Sequence, residues 1–316
     1  MPNLTWLLAE NRFLISLTDA GEGKAPPCCI GTGPFQLTGA GFPKTLAAND
    51  DYWRGRPFAD KVEVATGRSI REQWLDLSVG RADVVEVPAE ELRAAQQQRL
   101  SVAASPPVEL LALQIADTRA LANPMLRAAI AEAVDRGALF NVIFQKQGEI
   151  TASLLPQELT GYSFLFPTER DLNKAHELRG GLAAPALTLG FEGDGALQLA
   201  AQRIALNLRE AGFDVQVIGT GRAQGADLTL RKLSLVGGDP AAAMEMLLRA
   251  AGENVSVAGP TPLARYRAER EFLDRKTLVP LIDLPRACAL GARVRDMELR
   301  GDGTPDLASA SLEDAP

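Results

Sequence analysis

The chain has 316 residues, 46% of them apolar and 23% charged, enough for a sizeable core arranged as two lobes. A net charge of −7 argues against a general nucleic-acid binder, while leaving room for a local basic patch. One histidine and 5% aromatic residues leave little material for a histidine-rich metal centre or a base-stacking platform.

No apolar run reaches about 18 residues, so no transmembrane helix is expected. Residues 1–17 resemble a signal peptide only faintly: Glu10, Asn11 and Arg12 interrupt the apolar run, and no basic segment precedes it. They read as part of the fold. The glycine-rich stretch 28–55 follows, then short extended runs at "PKTLAAN" and "KVEVAT". Residues 69–80 read as a helix with Ile70, Trp74 and Leu77 on one face and Gly80 as its stop. "ADVVEV" is a strand, Pro88 opens a helix, and "LSVAAS" and "VELLALQIAD" read as two further strands. Asn123 and Pro124 mark the start of one helix carrying Leu126, Ile130, Ala133 and Val134.

Beyond a polar, proline-marked stretch (151–170), a short helix is expected near Leu172–Leu178. A β–α–β–β unit comes next: "ALTLGFE", a helix face of Leu197, Ala201, Ile204 and Leu208 stopped by Gly212, then "FDVQVIG" and "ADLTLRK". Two helices, from Asp239–Pro240 and from Thr261, precede the strands "TLVPLID" and "ACALGA". The polar tail from Gly301 is expected to fray.

The glycine stretch fails as a phosphate cradle. Pro43 precedes Lys44–Thr45 where a P-loop needs glycine, and Gln36 occupies the third glycine position of a dinucleotide fingerprint. With no helix opening there, the glycines read as a tight turn feeding a hairpin, Pro34 fixing φ. No G-x-S-x-G, H-E-x-x-H or C-x-x-C pattern occurs, and His176 sits in a polar helix where solvation is expected. Cys28 and Cys29 are adjacent and Cys288 is distant, so no disulfide framework is implied; a single bond to Cys288 stays open. No enzyme and no cofactor are expected.

Three ordered stretches carry a resemblance. Gly31, Thr32, Gly33, Pro34 and Phe35, followed by Asn49, Tyr52, Trp53, Arg54, Gly55, Pro57 and Asp60, resemble the signature of the family 5 extracellular solute-binding proteins, peptide/nickel-type receptors of ABC importers. Arg127, Ala128, Ala133, Asp135, Arg136, Gly148 and Pro156 match a second family segment, and "LVPLIDLPRACALGARVRDM" a third. The resemblance implies an α/β periplasmic-binding-protein type II fold with two lobes of mixed sheet. Residues 1–110 would form an incomplete first lobe, 111–280 the second lobe, and 281–316 the return to the first. It also implies solute capture by hinge closure, an ABC permease as partner, no nucleic acid, a periplasmic or extracellular location, and a monomer unless a partner covers the first lobe.

Three differences from the family follow, one of them a second lobe expected to be abbreviated between Ala251 and Pro262. The chain begins close to the GTGPF signature, which is expected of a truncated or minimal member. Val236 falls where peptide-binding members carry an aspartate for the peptide's amino terminus. The ligand-binding candidates are Gln114, Asp117, Ser234, Gly237, Gly238 and Asp239. For Gln114 and Asp117 the alternative is an ordinary strand end, for the glycines a turn, and for Asp239 a helix cap. The runner-up function is a degenerate relative serving as a ligand-sensing or protein-interaction module, and a hydrolase is a distant third.

Overall fold

The computed structural model describes residues 31–38, 43–183, 185–193, 195–219, 225–235, 239–253 and 261–313. In chain order the main elements begin with β1 (Phe35–Thr38), β2 (Lys44–Ala48) and β3 (Lys61–Val64), followed by α1 (Ile70–Ser78), β4 (Val84–Val87), α2 (Leu92–Gln97) and β5 (Ser101–Ile115). Next come α3 (Pro124–Ala133), β6 (Glu149–Ile150), α4 (Leu172–Arg179), β7 (Ala186–Phe191), α5 (Ala196–Glu210), β8 (Asp214–Ile218) and β9 (Leu228–Ser234). The chain closes with α6 (Pro240–Ala250), α7 (Pro262–Asp274), β10 (Leu278–Leu290) and four two-residue strands, β11 (Val294–Arg295), β12 (Glu298–Leu299), β13 (Pro305–Asp306) and β14 (Ser311–Leu312).

The chain divides into two units: Met1–Ser105 with Arg286–Pro316, and Pro106–Pro285. In the first, β1, β2 and β3 form an antiparallel sheet in sequence order, with Phe35 opposite Ala48 and Lys44 opposite Val64. The GTGP segment therefore leads into a paired strand, not a helix. Asn49 is the reason this turn holds its shape. Its side-chain amide donates to the Gly33 carbonyl at 2.8 Å, its backbone N–H donates to Pro34 at 2.9 Å, and its Oδ1 accepts from Asp51 N–H at 3.2 Å.

Asn49→Ala removes both side-chain hydrogen bonds of a buried residue, leaving the half-buried Gly33 carbonyl and the exposed Asp51 amide to water. The expected cost is about 1–2 kcal/mol, read as roughly 5–30-fold faster hydrogen exchange at the Asp51 amide. Unchanged exchange there would show that the asparagine does not hold the turn.

α1 starts on a capping box, Ser69 Oγ accepting from Glu72 N–H and the Glu72 carboxylate accepting from Ser69 N–H. Its Trp74 and Leu77 pack on Val85, Val87, Leu92, Ala95, Ala287 and Ala289. β4 pairs antiparallel with the end of β10, Val87 opposite Ala287.

The tail does not fray as expected. β11 pairs with β14 and β12 with β13, Leu307 and Ala310 pack against Leu290, Val294 and Met297, and Arg295–Glu313 and Arg300–Asp306 ion pairs flank the ladders. Few apolar residues suffice because each hairpin needs to cover only one side of a small cluster.

The second unit is built on strands in the order β10–β5–β9–β7–β8, with β6 added against β10. β5 is antiparallel to β9, whereas β7 is parallel to both β9 and β8. α5 connects β7 to β8 and buries Leu197, Ala201, Ile204 and Leu208, the face given by their spacing. α6 and α7 bury Ala243, Met244, Leu247, Leu248, Phe272 and Leu273 against Leu110 and Leu233.

Three sequence expectations are corrected here. "LSVAAS" and "VELLALQIAD" form one 15-residue strand through Pro106 and Pro107, and "TLVPLID" and "ACALGA" one 13-residue strand through Pro280 and Pro285. Proline removes a ladder donor but its φ is compatible with an extended chain, so it interrupts a hydrogen bond without turning the strand. The helix from Pro124 does not continue to Val134, which is extended at φ −73°, ψ 123°. Asp135 breaks it by starting a new turn: its N–H donates to the buried Asn207 Oδ1 at 3.2 Å, and its carboxylate accepts from Ala138 N–H at 2.8 Å. A π-helical turn, Leu139–Ile143, follows.

Candidate functional site

The six candidate residues fall into two groups along β5 and β9. Gln114 lies opposite Thr229, whereas Ser234 lies opposite Glu109. Five residues of strand separate the two positions, roughly 17 Å at the rise of an extended chain. The register therefore does not bring Gln114 and Ser234 together.

At the Gln114 end, both halves of the side-chain amide are engaged. Nε2 donates to the Ala251 carbonyl at 2.6 Å, just past the end of α6, and Oε1 accepts from Arg231 Nη1 at 3.0 Å. Gln114 thus ties β5, β9 and α6 into one body. Asp117 is exposed in the turn after β5. Beside it in sequence, Thr118 donates weakly to Asp227 Oδ1 at 3.4 Å, while Asp227 Oδ2 accepts from both the amide (2.9 Å) and hydroxyl (2.8 Å) of Thr188. Asp227 was not singled out in the sequence; its tie between β7 and the start of β9 has no local motif.

At the other end, Ser234 closes β9 and is exposed. Gly237, Gly238 and Val236 lie outside the described residues. Asp239 takes the N-cap of α6, its carboxylate accepting from Ala242 N–H at 2.9 Å ahead of Pro240. The cap geometry is the one its sequence context implies. Asp239 and Ser234 flank the undescribed segment, so these two side chains and the first turn of α6 form one continuous stretch of chain.

Elsewhere in the second unit, two carboxyls are buried that the sequence did not mark. Glu269 Oε1 accepts from Ser153 Oγ at 2.7 Å and from Leu154 N–H at 2.6 Å. Burial pushes its carboxyl up, those donors opposing. Asp283, 1% exposed, is held well above the usual carboxylate range by burial, the Thr151 hydroxyl opposing and the charges of Glu149 and Glu269 adding. Two adjoining cavities of about 550 Å³ each also lie within this unit, and none of the described candidate residues lines either.

In the first unit the signature residues divide by role. Asn49 is buried in the turn, while Trp53 (72% exposed) and Phe58 (75% exposed) point to solvent. The Arg54 guanidinium stacks 4.5 Å from the Trp53 ring centroid. Arg56 links Asp50, at 2.7 Å, with Asp60. The Cys288 thiol is half-buried, and burial pushes it up to about 11; Cys28 and Cys29 lie outside the described residues.

The family model of the bacterial extracellular solute-binding proteins, family 5, middle region, matches residues 8–254. The chain belongs to this family.

Curated relatives include the peptide transport periplasmic protein SapA of Salmonella typhimurium, 29% identical over 71% of this chain and 45% of that protein. The probable ABC transporter periplasmic-binding protein SapA of Escherichia coli is 34% identical over 42% of this chain and 25% of that protein. The chain thus spans less than half the length of these two relatives. Among solved structures, NikA from Staphylococcus aureus in complex with Ni(L-His)2 superposes with a TM-score of 0.75 at 16% identity, over 94% of this chain and 72% of that one. The dipeptide-binding protein from Pseudoalteromonas in complex with Met-Leu gives 0.74 at 15% identity, over 90% and 64%. At these identities the likeness establishes the fold, which is that of type II periplasmic binding proteins. Family 5 is a transport-binding family, and no helix among the described residues is long and apolar enough to cross a membrane.

Proposed function

We propose that this chain captures a small solute, peptide-like or other, for an ABC-type import system, working in the periplasm or outside the cell with a membrane permease as partner. The observation that carries this reading is the family match over residues 8–254, with peptide-transport SapA as a relative. The structural likeness to receptors holding a dipeptide and a nickel–histidine complex accords with it.

Within the second unit, the contact stretch we assign is Ser234 to Asp239. Ser234 is exposed at the end of β9, and Gly237 and Gly238 place no side chain between a ligand and their amides. Asp239 positions the first turn of α6, whose partial positive charge favours an anionic ligand group. Gln114, engaged at both ends, keeps α6 in register with the sheet, and Asp117 belongs with it at the far end.

Calorimetric and thermal-shift titration of the full chain against di- and tripeptides, nickel–histidine complexes, sugars, opines and haem tests the reading. One class is expected to bind, with Ser234→Ala weakening that ligand about 3–10-fold, the loss of one hydrogen bond. A folded, monodisperse sample that none of these ligands stabilises would overturn solute capture.

A further inference from the structure

One of the two cavities has a buried arginine in its lining. Its lining includes Arg136, Phe166, Tyr266, Arg270, Lys276 and Pro280. Asp135 fixes the turn in which Arg136 sits, and the arginine is only 6% exposed. Its Nε donates to the Pro280 carbonyl at 2.9 Å. Among the described residues no carboxylate lies within 4.0 Å of the guanidinium, and no second acceptor takes its remaining N–H groups. Burial pushes this guanidinium down to about 10, with Glu132 and Glu169 opposing only at longer range.

The acids that could neutralise it are engaged or distant. Glu132 takes Lys174 Nζ at 2.6 Å, and Asp171 caps α4 by accepting from Lys174 N–H at 2.8 Å. A buried cation without a counter-charge is costly, and a planar fork of donors is matched by a carboxylate. The lining also carries apolar groups. The Phe166 and Tyr266 rings meet at 5.4 Å between centroids, with Leu165 and Leu273 beside them. The exposed Glu169 and Asp274 also border the cavity and disfavour a dianion such as phosphate. A volume of about 550 Å³ lies within the range of small-molecule sites.

We propose that this cavity binds a small monocarboxylate bearing an aromatic or aliphatic group, its carboxylate on Arg136 and its apolar part against Phe166 and Tyr266. The site is separate from the Ser234–Asp239 stretch and goes beyond solute capture there.

Titration calorimetry of the full chain with phenylacetate and with phenylacetamide, the same shape without the charge, tests the proposal. Phenylacetate is expected to bind at least 10-fold more tightly than the amide. Arg136→Lys should weaken it at least 10-fold, and Arg270→Glu, at an exposed position on the lining, about 3-fold or more. Ser234→Ala should leave it unchanged, which separates failure here from failure of the solute-capture reading. Equal binding of acid and amide, absence of phenylacetate binding at millimolar concentration, or unaltered affinity in Arg270→Glu would overturn the proposal, the last applying even if Arg136→Lys does not fold.

Discussion

Gly148→Ala is expected to destabilise the second unit by about 2–5 kcal/mol, summing left-handed backbone strain and overpacking. Gly148 sits at φ +88°, and a Cβ there would lie 2.2 Å from the Asp283 carbonyl oxygen and 3.2 Å from Leu284 Cδ2. The oxygen belongs to β10, whose Asp283 is held opposite Glu149 of β6, so it has no room to swing aside. Gly161→Ala supplies the control. Its φ is +71°, nothing lies within 4 Å of the added methyl, and only the backbone cost of about 1–2 kcal/mol is expected. Urea denaturation followed by circular dichroism would decide it; equal losses for the two variants would mean that close approach to β10 contributes nothing.

Asp283→Asn is expected to stabilise the second unit at pH 8 and to flatten its pH dependence. The folded carboxyl titrates above its unfolded value because burial penalises the charge. The folded state therefore holds the proton more tightly. Its contribution is fully present below the unfolded pKa, about 3.9, and is lost progressively as pH rises toward the raised folded value. Asparagine keeps the neutral shape and removes the ionisation. A gain of about 1–3 kcal/mol at pH 8 is expected, or roughly 2–4 °C per kcal/mol in melting temperature. At pH 4 the two proteins should differ little. Glu269→Gln should act in the same direction, since its oxygen still accepts from Ser153 and Leu154. Parallel melting curves from pH 4 to 8 for wild type and Asp283→Asn would rule out a buried, protonated carboxyl.

What the sequence made legible was periodic or capped. The faces of α1 and α5, the Asn123 and Asp239 caps and the β7–α5–β8 unit depend on neighbours a few positions apart, and local spacing reports them. What it hid depends on partners far along the chain. Val134 reads as helical until Asn207 captures the Asp135 amide, and the tail reads as loose until β14 finds β11. The runs on either side of Pro106–Pro107 and of Pro285 read as separate strands, yet each pair is one strand. Among functional candidates, Asp239 was visible as a cap, whereas Ser234 lay beyond the expected strand "ADLTLRK", which the structure carries two residues further. The engagement of Gln114 with Ala251 and Arg231 required knowing that α6 folds back along β9. Arg136 was legible as a family match; that it lacks a buried counter-charge was not.

The division of the chain sets an order of events during synthesis. The second unit is one uninterrupted segment, Pro106–Pro285, whereas the first is assembled from two. On the ribosome, β4 must wait for its partner at the end of β10, about 200 positions later. At roughly 5–20 residues per second that interval is on the order of 10–40 s. Throughout it, the apolar face formed by Trp74, Val85, Val87 and Leu92 lacks Ala287 and Ala289. The inserted unit can finish folding first, leaving the segment synthesised before it as the one that most needs chaperone cover.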